Sequence, residues 1–344
     1  MRNLYRRNQR KIIVLLVSFF LVIILSLTLG QVDISLTGTI AVVGYQLYLP
    51  GFSADDFTLE QQAILWQIRM PRTLVGLLVG AALAVSGAVM QGVFGNYLAD
   101  PGIIGVSSGA ATGAMIAIAS GSGFLNLFYM PLCAFIGAVV AVSITVFLVM
   151  RQGKIPVMAL LLAGVAVSMI LGAINSGILT YINEQKMQQY LFWMVGGLDF
   201  RRWEHVYLAV WPISIGISVL LLLARQINIL VLGETEARAV GMAIVPIRVL
   251  LLLVASMTTA TAVCVSGNIG FVGLVIPHIT RMLVGPDHRI LLPFSALAGG
   301  MFLLICDTLG RILLCPSEIR VGIMTAILGV PYFLYLLRRM HNQY

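Results

Sequence analysis

Charged side chains are scarce in this sequence. Asp, Glu, Lys and Arg make up 10% of its 344 residues, whereas soluble domains average about 25%. Hydrophobic residues make up 60% and the mean hydropathy is +1.00, more apolar surface than a soluble core of this size needs. The apolar residues form long continuous runs rather than alternating segments of about ten residues, which favours helices. The composition therefore predicts an all-α polytopic membrane protein.

Motifs for ATP hydrolysis and for enzyme chemistry are absent. The sequence contains no GxxxxGK[ST] phosphate-binding loop, so the chain cannot hydrolyse ATP itself. It contains no HExxH, GxSxG or Cys/His metal cluster, and the four cysteines form no CxxC pair and are interpreted as packing residues. We therefore expect no enzyme activity, no cofactor and no metal site. This argues against a membrane enzyme.

An intramembrane proton relay is also missing. The acidic residue that lies well inside an apolar segment is Asp307, and Arg311 follows it at salt-bridge spacing. Proton-coupled transporters usually carry an acid or histidine relay, so a secondary transporter or channel without an ATPase is the weaker alternative. The net charge of +8 does not indicate nucleic acid, because the basic residues are scattered between apolar runs.

Apolar runs long enough to cross a bilayer recur along the chain. A spanning helix needs about 20 apolar residues, so the sequence predicts about ten transmembrane helices. The first run is long for a signal peptide and no A-x-A site follows it, so we expect it to be retained. We expect a short surface helix within 31–64 and an amphipathic connection up to 204. The predicted spans are residues 12–30, 71–92, 102–120, 129–150, 156–182, 205–224, 245–265, 269–284, 290–311 and 319–337.

Lysine and arginine are distributed unequally between the two sides of these spans. With the N-terminus in the cytosol, fourteen of the 21 basic residues lie inside and seven outside. This asymmetry follows the positive-inside rule. Both termini are therefore predicted to be cytoplasmic, and Arg151 and Lys154 are predicted to mark a cytosolic turn.

A polar island, GETEARAVGM at residues 233–242, separates spans 6 and 7. Its charged residues are Glu234, Glu236 and Arg238, with small residues between them, and the predicted orientation places the island in the cytosol. We expect a short surface helix on which a partner protein presses. An ordinary solvated loop is the alternative.

Small residues recur at every fourth position in spans 3 and 5, which aligns them on one helix face. Tight helix packing is the expected role for most of them. In span 5 a smooth surface that lines a wide pathway is the alternative, because Asn175 lies beside the stripe. The candidate pathway residues in span 5 are Gly164, Ser168, Gly172, Asn175 and Ser176.

Of the seven basic residues on the predicted outer side, three are arginines at the outer ends of two spans. Arg69 and Arg72 flank Pro71 at the start of span 2, and Arg311 lies near the end of span 9. They form one basic cluster if the fold brings these two outer ends together. Snorkelling toward lipid headgroups is the alternative interpretation.

Five stretches, in this order, resemble the permease subunits of ABC importers for iron-siderophores, haem and cobalamin, the FecCD-type or type II importers. The resemblance covers the chain from about Gln67 to the C-terminus. Tyr97 is a departure, since many relatives have proline there. The stretches are QIRMPRTLVGLLVGAALAVSGAVMQGVFGNYLADPGIIGVSSGA, LLLAGVAVS, GETEARAVGM, GNIGFVGLVIPHITRMLVGPDHRILLPFSALAGG and PSEIRVGIMTAILGVPYFLYLL.

The resemblance implies a type II ABC importer permease fold, with residues 1–344 as a single transmembrane permease domain in the cytoplasmic membrane of a bacterium or archaeon. Its implied partners are membrane lipid, a second permease subunit, identical or paralogous, cytosolic ATPase subunits and an extracytoplasmic substrate-binding protein. The substrate most typical of the family is a ferric siderophore, with cobalamin and haem as alternatives.

The resemblance also implies roles for particular residues. The island matches the family's coupling helix, so Glu234, Arg238 and Gly241 are expected to contact the ATPase. The arginines Arg69, Arg72 and Arg311 are expected to dock acidic residues of the binding protein.

Overall fold

The computed structural model describes residues 2–121, 128–150 and 156–341 of the chain. Arg151 and Lys154, the predicted cytosolic turn, lie outside the described residues. The described part forms α-helices joined by short turns. These helices are α1 (Arg2–Thr28), α2 (Leu36–Gln46), α3 (Leu59–Gln62), α4 (Met70–Phe94), α5 (Val106–Ala119), α6 (Tyr129–Val149), α7 (Val157–Leu179), α8 (Glu184–Val195), α9 (Trp203–Leu222), α10 (Ala224–Leu232), α11 (Glu234–Ala239), α12 (Ile244–Ser266), α13 (Val272–Val284), α14 (His288–Leu313) and α15 (Val321–His341).

Ten of these elements match the ten predicted spans. Among the described residues, seven helices are long and apolar enough to cross a membrane, and three shorter apolar helices, α5, α13 and part of α15, complete the set. The all-helical architecture predicted from the sequence is thereby confirmed, and each predicted span corresponds to an apolar helix of the described residues. That residues 1–344 form one domain, and that both termini are cytoplasmic, stay predictions.

Several boundaries differ from the predicted ones for local reasons. A π-helical segment, Ala63–Arg69, joins α3 to α4, so the second span begins well before residue 71. The third span starts with a 3-10 turn capped by Asp100, which leaves α5 only 14 residues long. α9 ends at Leu222 and α10 begins at Ala224, so a second, amphipathic helix precedes the polar island.

The expected surface helices are present and each begins at a polar cap. The Ser35 side chain accepts the Gly38 backbone N–H at the start of α2. The Asn183 side chain accepts the Lys186 backbone N–H at the start of α8. Capping side chains of this kind satisfy backbone donors that the first turn of a helix leaves without partners.

Helix α4 lies at the centre of the bundle and packs against α9, α12, α13 and α14. Its glycines permit this, because a Cβ on Gly80 would overlap the backbone of Gly299 in α14, and one on Gly87 would overlap Gly273 in α13. Small residues at such contacts let backbones approach closely. In contrast, only 17% of the apolar window of α7 is buried within the single chain, and large side chains such as Met158, Leu162 and Met169 are exposed.

The two ends of the bundle can be told apart by their contacts. Lys11 of α1 donates to the Leu283 carbonyl at the C-terminal turn of α13, and Asn228 of α10 bonds to the α13–α14 turn. The start of α1, the α13–α14 turn and α11 therefore share one end, called the α11 end below. Arg72 and Arg311 lie at the opposite end, called the arginine end.

Candidate functional sites at the two ends of the bundle

The polar island folds into the six-residue helix α11 between two glycines with positive φ. Gly233 has φ 125° and Gly241 has φ 75°. After α11 the Gly241 N–H donates to the Arg238 carbonyl at 2.9 Å, and the Met242 N–H donates to the Ala237 carbonyl at 3.0 Å. These two bonds form a Schellman motif, which requires a left-handed residue at the Gly241 position. The structural role of Gly241 is therefore to end the helix and turn the chain into α12.

Ion pairs hold α11 on the bundle but leave its outer face open. Glu234 lies 2.9 Å from Arg248 of α12, whose side chain is buried, and 3.5 Å from Arg238. Ala237 is buried beneath the helix, whereas Arg238 is 67% exposed along its side chain. Sequence reasoning missed two exposed apolar residues that flank the helix, Leu232 and Val240. α11 thus presents an exposed charge between apolar residues, a composition found at protein interfaces.

The fold brings Arg69, Arg72 and Arg311 together, as the sequence-based cluster required, but it buries them. Their exposed fractions are 5%, 8% and 4%. The Arg72 guanidinium contacts Asp307 at 2.8 and 3.0 Å, Glu318 at 2.9 Å and Asp199 at 3.3 Å. Three carboxylates of the same chain therefore occupy its donors.

Arg69 and Arg311 bind the end of α1. Arg69 donates to the carbonyls of Leu27 and Thr28, each at 2.7 Å, and to that of Val32. Arg311 donates to the Ser26 carbonyl at 2.9 Å and the Leu29 carbonyl at 3.1 Å. The last carbonyls of a helix lack partners within it, and the last turn of α1 contains no basic residue. The two arginines supply that cap from other helices.

A cavity of about 540 Å³, lined mainly by polar and charged residues, opens beside Arg72 at the arginine end. Asp199 and Glu318 line it, and neither was singled out from the sequence, although both lie among the few charged residues predicted on the outer side. Burial lowers the pKa of Arg201, in the loop before α9, to about 10. Phe200, next to it, is 90% exposed with φ 57°. The cavity lining consists of Gln31, Gln67, Ile68, Arg72, Asp199, Phe200, Arg201, Arg202 and Glu318.

The five candidate pathway residues of α7 fall into a buried or half-buried group and an exposed group. Gly164 packs against the backbone of Ile103, so a Cβ there would collide with it. Ser168 is half-buried, and Asn175 is buried beside Tyr190 of α8. Only Gly172 and Ser176 lie on the open surface, where the Ser176 hydroxyl donates to the Gly172 carbonyl at 3.0 Å.

The division of the stripe follows from helix geometry. Because four residues exceed one turn of 3.6, the stripe rotates by about 40° at each step. Residues at its two ends therefore face different surroundings. A pathway role for the five residues stays a prediction.

Comparison with known proteins decides the family. The model of the FecCD transport family matches residues 16–339. The chain belongs to the FecCD transport family. It is 46% identical over 277 residues to the cobalamin import system permease protein of Halobacterium salinarum, a match that covers 80% of this chain and 74% of that protein. It is 40% identical to the hemin transport system permease protein of Yersinia pestis over 96% of this chain and 97% of that protein.

A solved structure agrees with this assignment. An inward-facing metal-chelate type ABC transporter superposes with a TM-score of 0.84 and 32% sequence identity, covering 96% of this chain and 99% of that one. This FecCD chain is thus a multi-pass permease subunit of an ABC importer in the cytoplasmic membrane. Within such an importer the permease subunit itself is not the catalyst.

In this FecCD permease, Gln91 connects α4 to the first turn of α13, a contact that sequence reasoning missed. Pro277 has no N–H, so the Gly273 carbonyl four residues earlier has no helical partner. The Gln91 amide donates to that carbonyl at 3.3 Å and to the Leu274 carbonyl at 3.2 Å, and its oxygen accepts from Arg281 at 2.9 Å. The Arg281 guanidinium in turn lies 4.7 Å from the centre of the Tyr97 ring.

Tyr97, where many relatives have proline, thus makes a contact that a proline side chain could not make. Its ring fastens the loop between α4 and α5 to α13 through a cation–π contact.

Proposed function

We propose that α11 is the contact for a cytosolic ATPase, which places the α11 end in the cytosol together with both termini. The observation that carries the proposal is the exposed helix itself, held by Arg248 yet presenting Arg238, Leu232 and Val240 outward. Membership of an ABC importer family supplies the reason for such a partner. Glu234 contributes by fixing the helix, and Gly241 by ending it.

Arg238→Glu tests this contact. It reverses an exposed charge and leaves Arg248 in place as the partner of Glu234, so we expect the permease to insert normally while ATPase association weakens and transport falls. Association is measured by co-purification, and transport in proteoliposomes. Arg225→Gln, an exposed change on α10, is the matched control. Wild-type ATPase association and wild-type transport in Arg238→Glu would remove this role from α11.

We infer that the substrate is a large metal chelate of the cobalamin or haem class. Relatives named for cobalamin and for hemin support both, and the 46% identity to a cobalamin permease favours cobalamin. A ferric siderophore, the substrate first expected from the sequence, is the third candidate. Uptake of labelled cobalamin, haemin and a ferric siderophore into proteoliposomes, with the cognate ATPase and binding protein, separates the three. Uptake of the siderophore alone would overturn the inference.

A second permease subunit is proposed to cover the exposed face of α7, identical or paralogous to this chain, so that Gly172 and Ser176 line a pathway between the two. Cysteines placed at these two positions should react with a water-soluble thiol reagent to an extent that changes with nucleotide state. A cysteine at Gly164 is unsuitable because its Cβ would overlap Ile103. Protection at both positions in every state would assign α7 to lipid contact.

Docking of an extracytoplasmic binding protein at the arginine end is also proposed. The buried bonds of Arg69, Arg72 and Arg311 mean that an acidic partner residue would have to compete with carboxylates and carbonyls of this chain. Charge reversal at Arg69 and Arg72 should slow association and reduce its salt dependence. Thermal stability must be measured in parallel, because the same change breaks internal bonds. An unchanged association rate in a folded variant would exclude docking at these residues.

A further inference from the structure

Asn228 makes a compact set of hydrogen bonds from α10 to the start of α14. Its Nδ2 donates to Asp287 Oδ1 at 2.6 Å. Its Oδ1 accepts the His288 backbone N–H at 2.9 Å and lies 2.8 Å from His288 Nδ1. The backbone donor fixes the orientation of the amide, because a reversed amide would place two donors together.

This bond set completes the cap of α14. Asp287 is the N-cap residue and accepts the Arg289 N–H at 3.0 Å. The N–H of His288 also belongs to the first turn, which leaves its donors without helical partners. Asn228 satisfies that donor from a different helix, so the cap of α14 is built jointly by the α13–α14 turn and α10.

The junction also includes α4. A Cβ on Gly92 would lie 2.7 Å from Ile227 and 2.9 Å from the His288 ring. Glycine at position 92 therefore lets α4, α10 and α14 meet at one point. Close packing of this kind transmits small displacements, because packed interiors have few voids to absorb them.

α11 is attached to this junction along a short path. Gly233 is the single residue between α10 and α11, and on the other side Glu234 is paired with Arg248 of α12. α11 is therefore connected to α12 by an ion pair, and to α14 and α4 by way of α10. Asn228 is the side chain of α10 that makes the polar part of the second connection.

We propose that Asn228 is a positioning residue for energy coupling: it ties α10 to the start of α14 so that movement of α11 is passed to the central helices. This rests on the proposed contact between α11 and the ATPase. The role differs from that of Arg238, because Asn228 faces the α13–α14 turn rather than the exposed side of α11. Loss of Asn228 should therefore uncouple transport from ATP hydrolysis without releasing the ATPase.

The test is the amount of substrate moved per ATP hydrolysed in the reconstituted complex. Asn228→Leu keeps the side-chain size and removes the hydrogen bonds. We expect the ATPase to co-purify as in wild type while the transport-to-hydrolysis ratio falls at least about fivefold, the lower range of typical couplings between sites. Arg225→Gln, on the exposed side of α10, should keep the wild-type ratio. A wild-type ratio in Asn228→Leu, or loss of ATPase binding by it, would overturn the proposal.

Exchanging the side chains of Asn228 and Asp287 provides a second test if Asn228→Leu does not fold. Asn228→Asp alone places two carboxylates together and should lower the ratio. Combined with Asp287→Asn, it restores one donor opposite one acceptor. Because Oδ1 of Asp287 also accepts the Arg289 N–H, the new amide must turn so that its oxygen caps α14 while its nitrogen faces position 228, and the recovery is therefore partial. The double variant should regain part of the lost ratio, and failure to do so contradicts the proposal.

The failure of the proposed α11 contact would look different. In that case Arg238→Glu would keep its ATPase association and transport, whatever the variants of Asn228 do. If Arg238→Glu kept wild-type ATPase association and transport while Asn228→Leu lowered the transport-to-hydrolysis ratio, the ATPase contact would lie elsewhere than on α11. The coupling role of Asn228 would still stand.

Discussion

The α11 end and the arginine end of this permease use charged residues in opposite ways. At the α11 end, Arg238 is exposed and its internal partner, Glu234, is shared with a buried arginine. At the arginine end, Arg69, Arg72 and Arg311 are buried, and carboxylates or carbonyls of the same chain occupy their donors. The α11 end thus leaves a charge available to a partner, whereas the charges of the arginine end form internal bonds that hold the fold together.

This difference shows the condition under which an apolar protein can hold a charged residue in its interior. A buried guanidinium is tolerated only when its donors are paired. The arginine end meets this requirement with Asp199, Asp307 and Glu318, which come from three separate parts of the chain. α11 avoids the requirement because its outer face lies outside the packed helices.

The largest effect is expected at Arg72. Arg72→Leu leaves Asp307 buried with only Arg311 nearby, 3.3 Å away. Breaking a buried pair from one side typically costs 3–5 kcal/mol, so we expect a loss of about 3 kcal/mol in the free energy of unfolding. The measurement is the thermal or denaturant midpoint in detergent.

Two further variants make the Arg72 experiment decisive. Arg72→Leu combined with Asp307→Leu should recover part of the stability, because it removes the buried carboxylate that the single change leaves behind. The recovery is partial because Arg311 then loses its carboxylate partner, and Asp199 and Glu318 lose Arg72. Arg202→Leu, an exposed change beside the cavity, should alter the midpoint little. A stable Arg72→Leu that no longer binds the binding protein would show that Arg72 serves docking rather than folding.

Within the α11 end, a buried and an exposed arginine should also differ in their contribution to stability, by a smaller amount. Arg248 is buried against Glu234, whereas Arg238 is exposed. We expect Arg248→Leu to lower stability by about 1–3 kcal/mol, since the pair involves a charged hydrogen bond. Arg238→Leu should change stability by at most about 0.5 kcal/mol. Equal losses in the two variants would contradict the assignment of Arg248 to structure and Arg238 to the surface.

The spans could be predicted because each is an apolar run, and the bilayer imposes helices on such runs. The island could be predicted because charged residues interrupt the apolar pattern between spans 6 and 7. The partners of Arg72 could not, because Asp199 and Glu318 are 127 and 246 residues away in sequence. Sequence spacing revealed only the Asp307–Arg311 pair, which lies within one helix.

The bonds of Gln91 and Asn228 were missed for a related reason. Each amide completes the backbone of another helix, at a proline in one case and at an N-cap in the other. The proline and the cap residue are visible in the sequence, but the helix that supplies the missing partner is set by tertiary packing.

A smaller effect is expected at Gly241. Its φ of 75° lies in the left-handed region, and a Cβ there would meet no heavy atom within 4 Å. The cost of Gly241→Ala is therefore conformational only, about 1 kcal/mol. Gly241→Asn should cost less, because asparagine tolerates this region. Hydrogen exchange of α11 measures the difference, and equal exchange in the alanine variant and wild type would show that the helix end needs no left-handed residue.

The smallest effect concerns pH and the exposed carboxylate at the α11 end. Partial burial of Asp287 opposes its charge, but bonds from the Arg289 N–H and the Asn228 amide lower its pKa below the ordinary value of 3.8. A carboxyl group whose pKa is lower in the folded state stabilises the fold above its unfolded-state pKa of about 3.9. That contribution is lost as the pH falls through the lower folded-state value.

The stability difference between wild type and Asp287→Asn should consequently be constant from about pH 7 to pH 5 and shrink below about pH 4. Thermal midpoints of both proteins, measured across that range in the same detergent, give the difference directly. Asp287→Asn retains an N-cap side chain, so the change isolates the charge from the cap. A difference as large at pH 3 as at pH 7 would mean that the Asp287 charge contributes nothing and that its hydrogen-bond geometry alone holds the junction with Asn228.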